Sequence, residues 1–208
     1  MGKKIVLFDF DGVIMDSYRT AFSVGKIVCP NLSEEHYRQF FEGNIFEQFN
    51  SGDIHSESCR HEDFWNHYIP KLKQDGRIVP GMDEVIRTLA QAYNMVVVSS
   101  GQSAFIQDFL GEHELASYFV GIMGNDIHES KEEKIKMVFA EHGTDASRCV
   151  FITDTLGDIR EAEKMGVGAL AVTWGFHEPE RLAKGSPFRL VDTPELLPEA
   201  IADYFVRV

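Results

Sequence analysis

Short apolar, β-branched runs recur along this chain, and amphipathic segments separate them. The runs are Ile5-Val-Leu-Phe8, Met95-Val-Val-Val98, Phe119-Val-Gly-Ile-Met123, Cys149-Val-Phe-Ile152 and Ala169-Leu-Ala-Val172. Continuous apolar runs of this length suit strands buried on both faces, as in a parallel sheet. Between them, Met82, Val85, Ile86, Leu89 and Ala90 recur at helical spacing, as do Phe105, Ile106, Phe109 and Leu110, then Ile135, Val138 and Phe139. Ile159 to Met165 reads as a shorter helix stopped by Gly166. Strand and helix in alternation specify a doubly wound α/β, mainly parallel sheet. A short edge strand at Phe188 to Val191 and a closing helix at Pro194 to Phe205 complete the pattern.

One interval breaks the alternation. Residues 16–79 contain no convincing strand and are rich in aromatics, among them Tyr18, Phe22, Tyr37, Phe40, Phe41, Phe46, Phe64, Trp65 and Tyr68. They read as short helices, and Pro80-Gly81 marks the return to the sheet. The expected organisation is a core of residues 1–15 and 80–208 with a helical cap of residues 16–79.

Composition restricts the partners. Asp plus Glu outnumber Lys plus Arg by 33 to 20, a formal charge of −13. Such a surface repels nucleic acid and anionic membranes, so neither is an expected partner. An anion-binding site would need a local cation. The three cysteines, Cys29, Cys59 and Cys149, are odd in number and widely spaced. That argues against a disulfide framework and a zinc motif, and favours a reducing compartment. The apolar run at the N-terminus is cut short by Asp9, too early for a signal peptide or a membrane span, and Val6 stands where a myristoylation motif needs Ser or Thr. The expected location is cytoplasmic. Oligomeric state has no signature in the sequence.

Polar residues collect where the strands end. The first strand runs into Asp9-Phe10-Asp11-Gly12, the second into Ser99-Ser100-Gly101, and the fourth into Thr153-Asp154-Thr155-Leu156-Gly157-Asp158. Lys131 follows the loop after the third strand. Carboxyl ends of strands are where α/β sheets place their ligands. Each feature alone has a plain explanation. Asp9 to Gly12 could be an acidic turn, but it fails as an EF-hand loop, with Gly12 in the fourth place and Thr20 where the bidentate Glu belongs. Ser99 could be an N-cap, and Asp158 could serve the helix dipole. A lysine at a helix start opposes that dipole, which makes Lys131 the odd placement. Carboxylates, hydroxyl and lysine together on one sheet edge point instead to chemistry on an anion, with a cation between crowded carboxylates or a proton on one of them.

The residues in these positions resemble a known family. DFDGVIMDS at 9–17 is similar to the first motif of the haloacid dehalogenase-like hydrolases, VVVSS at 96–100 to the second, Lys131 to the third and ITDTLGD at 152–158 to the fourth. The insert resembles the helical cap of the phosphoglycolate phosphatase-like subgroup, and Val172 to Phe176 and Leu190 to Leu196 are also typical of that subgroup. The resemblance implies a phosphatase acting on a small-molecule phosphate ester. In it, Asp9 is the nucleophile that forms an aspartyl-phosphate, and Asp11 is general acid and then base. Mg²⁺ is implied as cofactor, held by the Asp9 carboxylate, the Asp11 carbonyl and Asp154, with Asp158 anchoring the site from behind. Ser99 and the Ser100 N–H would hold phosphoryl oxygens, and Lys131 would neutralise charge; Lys134, one turn on, is its alternative. Glu132 stands where many relatives have Pro, and Ser100-Gly101 where many have Thr-Asn. Cap residues Arg19, Lys26, Arg38 and Lys71 are the expected substrate contacts, and most cap aromatics are expected to be cap core. His55, His61 and His67 read as exposed positions, and Trp174 and Phe176 as shaping the entrance or covering the sheet edge. A phosphomutase shares all four motifs. A receiver-type signalling domain, with its own phosphorylated Asp, places that Asp after the third strand and has no cap.

Overall fold

The computed structural model describes residues 3–50, 59 and 63–207. The strands are β1 (Ile5–Phe8), β2 (Asn94–Val98), β3 (Phe119–Met123), β4 (Cys149–Thr153), β5 (Gly168–Val172) and β6 (Arg189–Val191). They form one parallel sheet in the order β3-β2-β1-β4-β5-β6. The order reverses beside β1, which pairs with β2 on one side and β4 on the other. The crevice at such a switch point, at the carboxyl ends of the strands, is the ligand site of open α/β sheets.

Side-chain alternation along the strands divides the core into two layers. Val6 and Phe8 face a large cluster with Met95, Val97, Val150 and Ile152. That face is covered by α5 (Met82–Leu89), α6 (Ser103–Glu112) and α10 (Leu197–Arg207), through Ile86, Ile106, Phe109, Leu197, Ile201 and Phe205. Ile5 and Leu7 face a smaller cluster with Val96, Val98, Cys149 and Phe151. There α7 (Lys131–His142) contributes Ile135 and Val138, and α8 (Leu156–Lys164) contributes Ala162. Both helices are properly started, with Ser130 Oγ accepting from Glu133 N and Thr155 Oγ1 from Asp158 N. A short helix, α9 (Pro179–Leu182), follows β5.

The helices inserted after β1 are α1 (Tyr18–Val28), α2 (Glu34–Gln39), α3 (Ile45–Asn50) and α4 (Phe64–Asp75). The chain leaves and re-enters the core side by side. Asp16 N donates to Arg77 O, and Val79 N to Ile14 O, both at 2.9 Å. Among the described residues no helix is long and apolar enough to cross a membrane.

One expectation is overturned here. Cys29 and Cys59 are joined by a disulfide, and Cys149 is the buried free thiol. Their 30-residue separation hid the pair. The fold of the insert closes that distance, and wide spacing in sequence is no bar to it. The cysteine-based argument for a reducing compartment therefore falls away.

Candidate active site

Every strand-end group picked out in the sequence faces one crevice or the shell behind it. Asp9 follows β1 and extends its pairing by one bond, Asp9 N to Ile152 O at 2.9 Å. Its side chain is buried, with Oδ1 accepting from Phe10 N at 2.7 Å and Oδ2 lying 3.0 Å from Lys131 Nζ. The same ammonium lies 2.6 Å from Asp158 Oδ2, which also accepts from Thr153 Oγ1 at 2.6 Å. Lys131 starts α7, and its side chain reaches back across the switch point to bridge two carboxylates. This answers why a cation sits at the wrong end of a helix dipole. Its backbone N–H is held by Glu161 Oε1 at 3.0 Å.

Lys134 is fully buried too, but it donates to Ser99 O at 2.6 Å and touches neither carboxylate. Burial, then the charge of Lys131, lowers its pKa to about 8. Ser99 is no N-cap. Gln102 occupies the cap position of α6, while Ser99 Oγ accepts from Gly101 N at 2.9 Å and shapes the loop after β2. Ser99, Ser100 and Gly101 line the cavity over Asp9.

Asp11 sits where the chain turns out of the sheet. Gly12 takes φ +77°, which a side chain would resist. Asp11 Oδ1 accepts from Tyr68 Oη at 2.7 Å, a contact from α4 of the insert that the sequence did not announce. Burial pushes the Asp11 carboxyl up, and the Tyr68 hydroxyl partly offsets this.

Asp154 is fully buried. Its Oδ2 accepts from Phe176 N at 2.6 Å, while Oδ1 has no hydrogen-bond partner. Burial pushes its pKa up to about 7. Asp9 is pushed well above the usual carboxylate range by burial; Lys131 opposes this, and the charges of Asp158 and Asp154 add to it. For Asp158, burial raises the pKa, but Lys131 and the hydrogen bonds outweigh it and hold the carboxyl low. Lys131 resists desolvation through Asp158 and Asp9 and stays charged. Lys131 thus pairs with two of three buried carboxylates, Asp9 and Asp158, and among the described residues Asp154 has no ion-pair partner.

That imbalance is the observation against which a magnesium ion can be judged. Among the described residues no three His, Cys, Asp or Glu side chains converge as a ready-made cage. Magnesium does not require one, since it is commonly held by one or two carboxylates and keeps several waters. The orphaned, buried Oδ1 of Asp154 and the under-compensated Asp9 fit such an ion. The space around Asp154 depends on glycine: a Cβ at Gly175 would stand 2.2 Å from Asp154 Oδ2, and one at Gly12 would stand 2.1 Å from it.

The inserted helices roof the crevice and bind the core by polar contacts. His177 Nδ1 accepts from Leu156 N at 3.0 Å, and its Nε2 faces Arg38 O at 2.8 Å; burial lowers its pKa, in keeping with a neutral ring that accepts at one nitrogen and donates at the other. Asn44 Nδ2 donates to Glu161 Oε1, Arg160 Nη1 to Glu42 O, and Arg38 Nη1 to Phe176 O. Arg181 pairs with Glu35, Glu42 and Glu178.

The expected cap contacts need correction. Arg19, Lys26, Arg38 and Lys71 do not line the cavity of about 310 Å³ above Asp9. Arg38 pairs with Glu34 and Glu178, Lys26 donates to Leu32 O, Lys71 lies near Asp75, and Arg19 is exposed. The lining is aromatic instead: Tyr37, Phe41, Phe46, Phe64, Trp65 and Tyr68, with Phe176 from the core. Trp174 does not line it and donates to Val13 O at 3.3 Å. His67 is exposed as expected; His55 and His61 lie outside the described residues.

Comparison with known proteins agrees with this geometry. Residues 6–172 match the haloacid dehalogenase-like hydrolase family. The chain belongs to that family. A phosphoglycolate phosphatase from Vibrio parahaemolyticus is 26% identical over 96% of this chain and 96% of its own length. One from Synechococcus elongatus is 24% identical over 94% of this chain and 96% of its own. Among solved structures, a haloacid dehalogenase-like hydrolase from Streptococcus pneumoniae superposes with a TM-score of 0.78 at 20% identity, covering 96% of this chain and 98% of the other. CbbY from Rhodobacter sphaeroides, solved with phosphate, superposes at 0.75 with 16% identity, covering 94% and 96%. These structures share the fold of the hydrolase core and its inserted helices.

The crowding at Gly175 gives a test of the metal reading. A ligand that binds only the folded state raises thermal stability. Millimolar magnesium should raise the melting temperature of the unchanged protein, and Gly175→Ala should lose most of that rise while keeping its far-UV circular dichroism. An equal rise in the variant would contradict a metal role for Asp154.

Proposed function

We propose that this hydrolase is a magnesium-dependent phosphatase that cleaves a small phosphate monoester through an aspartyl-phosphate on Asp9. The observation that carries this reading is Lys131 Nζ, 3.0 Å from Asp9 Oδ2 on the floor of a roofed cavity. A carboxylate beside a fixed ammonium suits attack on an anion whose oxygens can share that ammonium. The relatives named as phosphatases support a phosphate ester.

In this reading, residues 16–79 are the cap and residues 1–15 with 80–208 the catalytic core. The paired linkers at Ile14–Asp16 and Arg77–Val79 form the hinge. The phosphoryl group sits between Asp9 and the loop of Ser99, Ser100 and Gly101, with Lys131 against its oxygens. Asp9 attacks phosphorus in line and the ester oxygen leaves. Asp11, whose carboxyl pKa burial raises, delivers a proton to that oxygen as it departs. The resulting Asp11 carboxylate then takes a proton from the water that attacks phosphorus, which frees Asp9 and inorganic phosphate. A magnesium ion, held by the Asp9 and Asp154 carboxylates and the Asp11 carbonyl, would supply positive charge that screens the nucleophile from the anionic ester. Asp158 and Thr153 keep Lys131 aimed. The aromatic roof excludes water, which strengthens each of these interactions.

Tyr68 is a positioning residue in this scheme. Its hydroxyl occupies Asp11 Oδ1, and Oδ2 lies toward Gly101 and the phosphoryl site. The cap therefore completes the acid only when closed.

Two measurements follow. Asp9→Asn should abolish release of inorganic phosphate from every ester the parent hydrolyses, and retained turnover would refute the nucleophile. Release of free phosphate by the parent, without a second phosphorylated product, also separates phosphatase from phosphomutase. Tyr68→Phe should lower kcat about tenfold, the worth of about one hydrogen bond, with little change in KM. That bond stabilises the carboxylate form of Asp11, so its loss raises the Asp11 pKa. The limb of the pH profile on which the acid loses its proton should move to higher pH. An unmoved profile would make Tyr68 merely structural.

A further inference from the structure

The aromatic lining and the placement of the cap cations bear on which ester fits. We infer that the leaving group carries an apolar, preferably aromatic body and no negative charge. The inference rests on the phosphatase reading and deepens it.

Two aromatic groups meet above the acids. On one side, Tyr37 and Phe41 pack with centroids 5.2 Å apart, and Phe41 meets Phe176 at 4.8 Å. On the other, Phe64 lies 4.9 Å from Tyr68 and 5.6 Å from Trp65. Phe46 and Ile45 add further apolar surface. Rings lining a cavity offer faces and edges for another ring to stack against.

Among the described residues, the charge on the lining disfavours an anion at that end. Among the described residues, Lys131 is the only Lys or Arg lining the cavity, and Asp9 and Asp158 already engage it. Arg19, Lys26 and Arg38 lie along a separate surface groove, with Arg38 stacked on Tyr18. The other ionisable groups in the lining are acids or phenols, including Asp11, Asp158 and Glu161. A carboxylate on the leaving group would enter this cavity desolvated and unpaired, an arrangement proteins avoid. Phosphoglycolate, for which the relatives are named, carries that carboxylate.

Size agrees. About 310 Å³ sits at the lower end of the range for sites that enclose drug-sized ligands, more than a two-carbon acid fills. One polar handle is present. Tyr37 is 3% exposed and lines the cavity. It is placed to bond an uncharged oxygen or nitrogen on the ring.

The test compares benzyl phosphate with 2-phosphoglycolate, at equal magnesium, by phosphate release. Benzyl phosphate is chosen over an aryl phosphate because its leaving group is an alkoxide, so an activated phenol does not bias the comparison. The expected kcat/KM is at least tenfold higher for benzyl phosphate. Phe46→Arg, which puts a cation into the lining at a half-buried position, should shrink that ratio at least tenfold. Calorimetry with benzylphosphonate and phosphonoacetate, which cannot be hydrolysed, should show tighter binding of the benzyl compound. Preference for phosphoglycolate, or tighter binding of phosphonoacetate, overturns the inference and leaves the phosphatase reading standing. Phosphate release from no ester at all overturns that reading, and this inference with it.

Discussion

The bridge from Lys131 to Asp9 and Asp158 is the interaction on which the rest of the site depends. Three carboxylates, those two and Asp154, lie buried around the switch point; burial pushes Asp9 and Asp154 up, while Lys131 holds Asp158 low. A single ammonium offsets part of that cost, with Asp158 and Thr153 fixing it from behind. The charge balance remains incomplete, and the orphaned Oδ1 of Asp154 marks where. A site with this deficit is suited to a divalent cation and to an anion whose oxygens can share Lys131. The −13 surface charge does not defeat phosphate binding, because the positive field is local.

The sheet order explains why these groups meet at all. Asp9, Ser99, Lys131 and Asp154 are scattered along the chain, yet β1 lies between β2 and β4, so their loops converge. The cap follows β1 directly and is held over the convergence by neutral and charged contacts: His177 to Arg38, Asn44 to Glu161, and Arg181 to Glu35 and Glu42. Apolar packing joins them too: Phe176 of the core meets Tyr18 and Phe41 of the insert, with centroids 5.2 and 4.8 Å apart.

The core was legible because its signals are local. Apolar runs at Ile5–Phe8 and Cys149–Ile152 need no partner to be read as strands, and the acids at their ends follow in the next residues. The choice between Lys131 and Lys134 was open in the sequence, since both lie one turn apart on one helix; the path of α7 past Ser99 and Asp158 separates them. Tyr68 was hidden for a different reason. Its role depends on how α4 folds back over β1, and nothing at position 68 encodes that. The same holds for the aromatics. In sequence a ring in a helix looks like core, and only the enclosed geometry shows Phe41, Phe64 and Trp65 facing a cavity. The Cys29–Cys59 pair and the engaged cap cations were misread because both depend on contacts across the insert.

The central claim is that Asp9 itself becomes phosphorylated. It is tested most directly by acid-quenching the enzyme during turnover, reducing with borohydride and mapping the peptides by mass spectrometry. An acyl phosphate on Asp9 would be converted to homoserine at that one position, in proportion to enzyme engaged. Continued phosphate release with Asp9 unmodified, or modification at another acid, would contradict it.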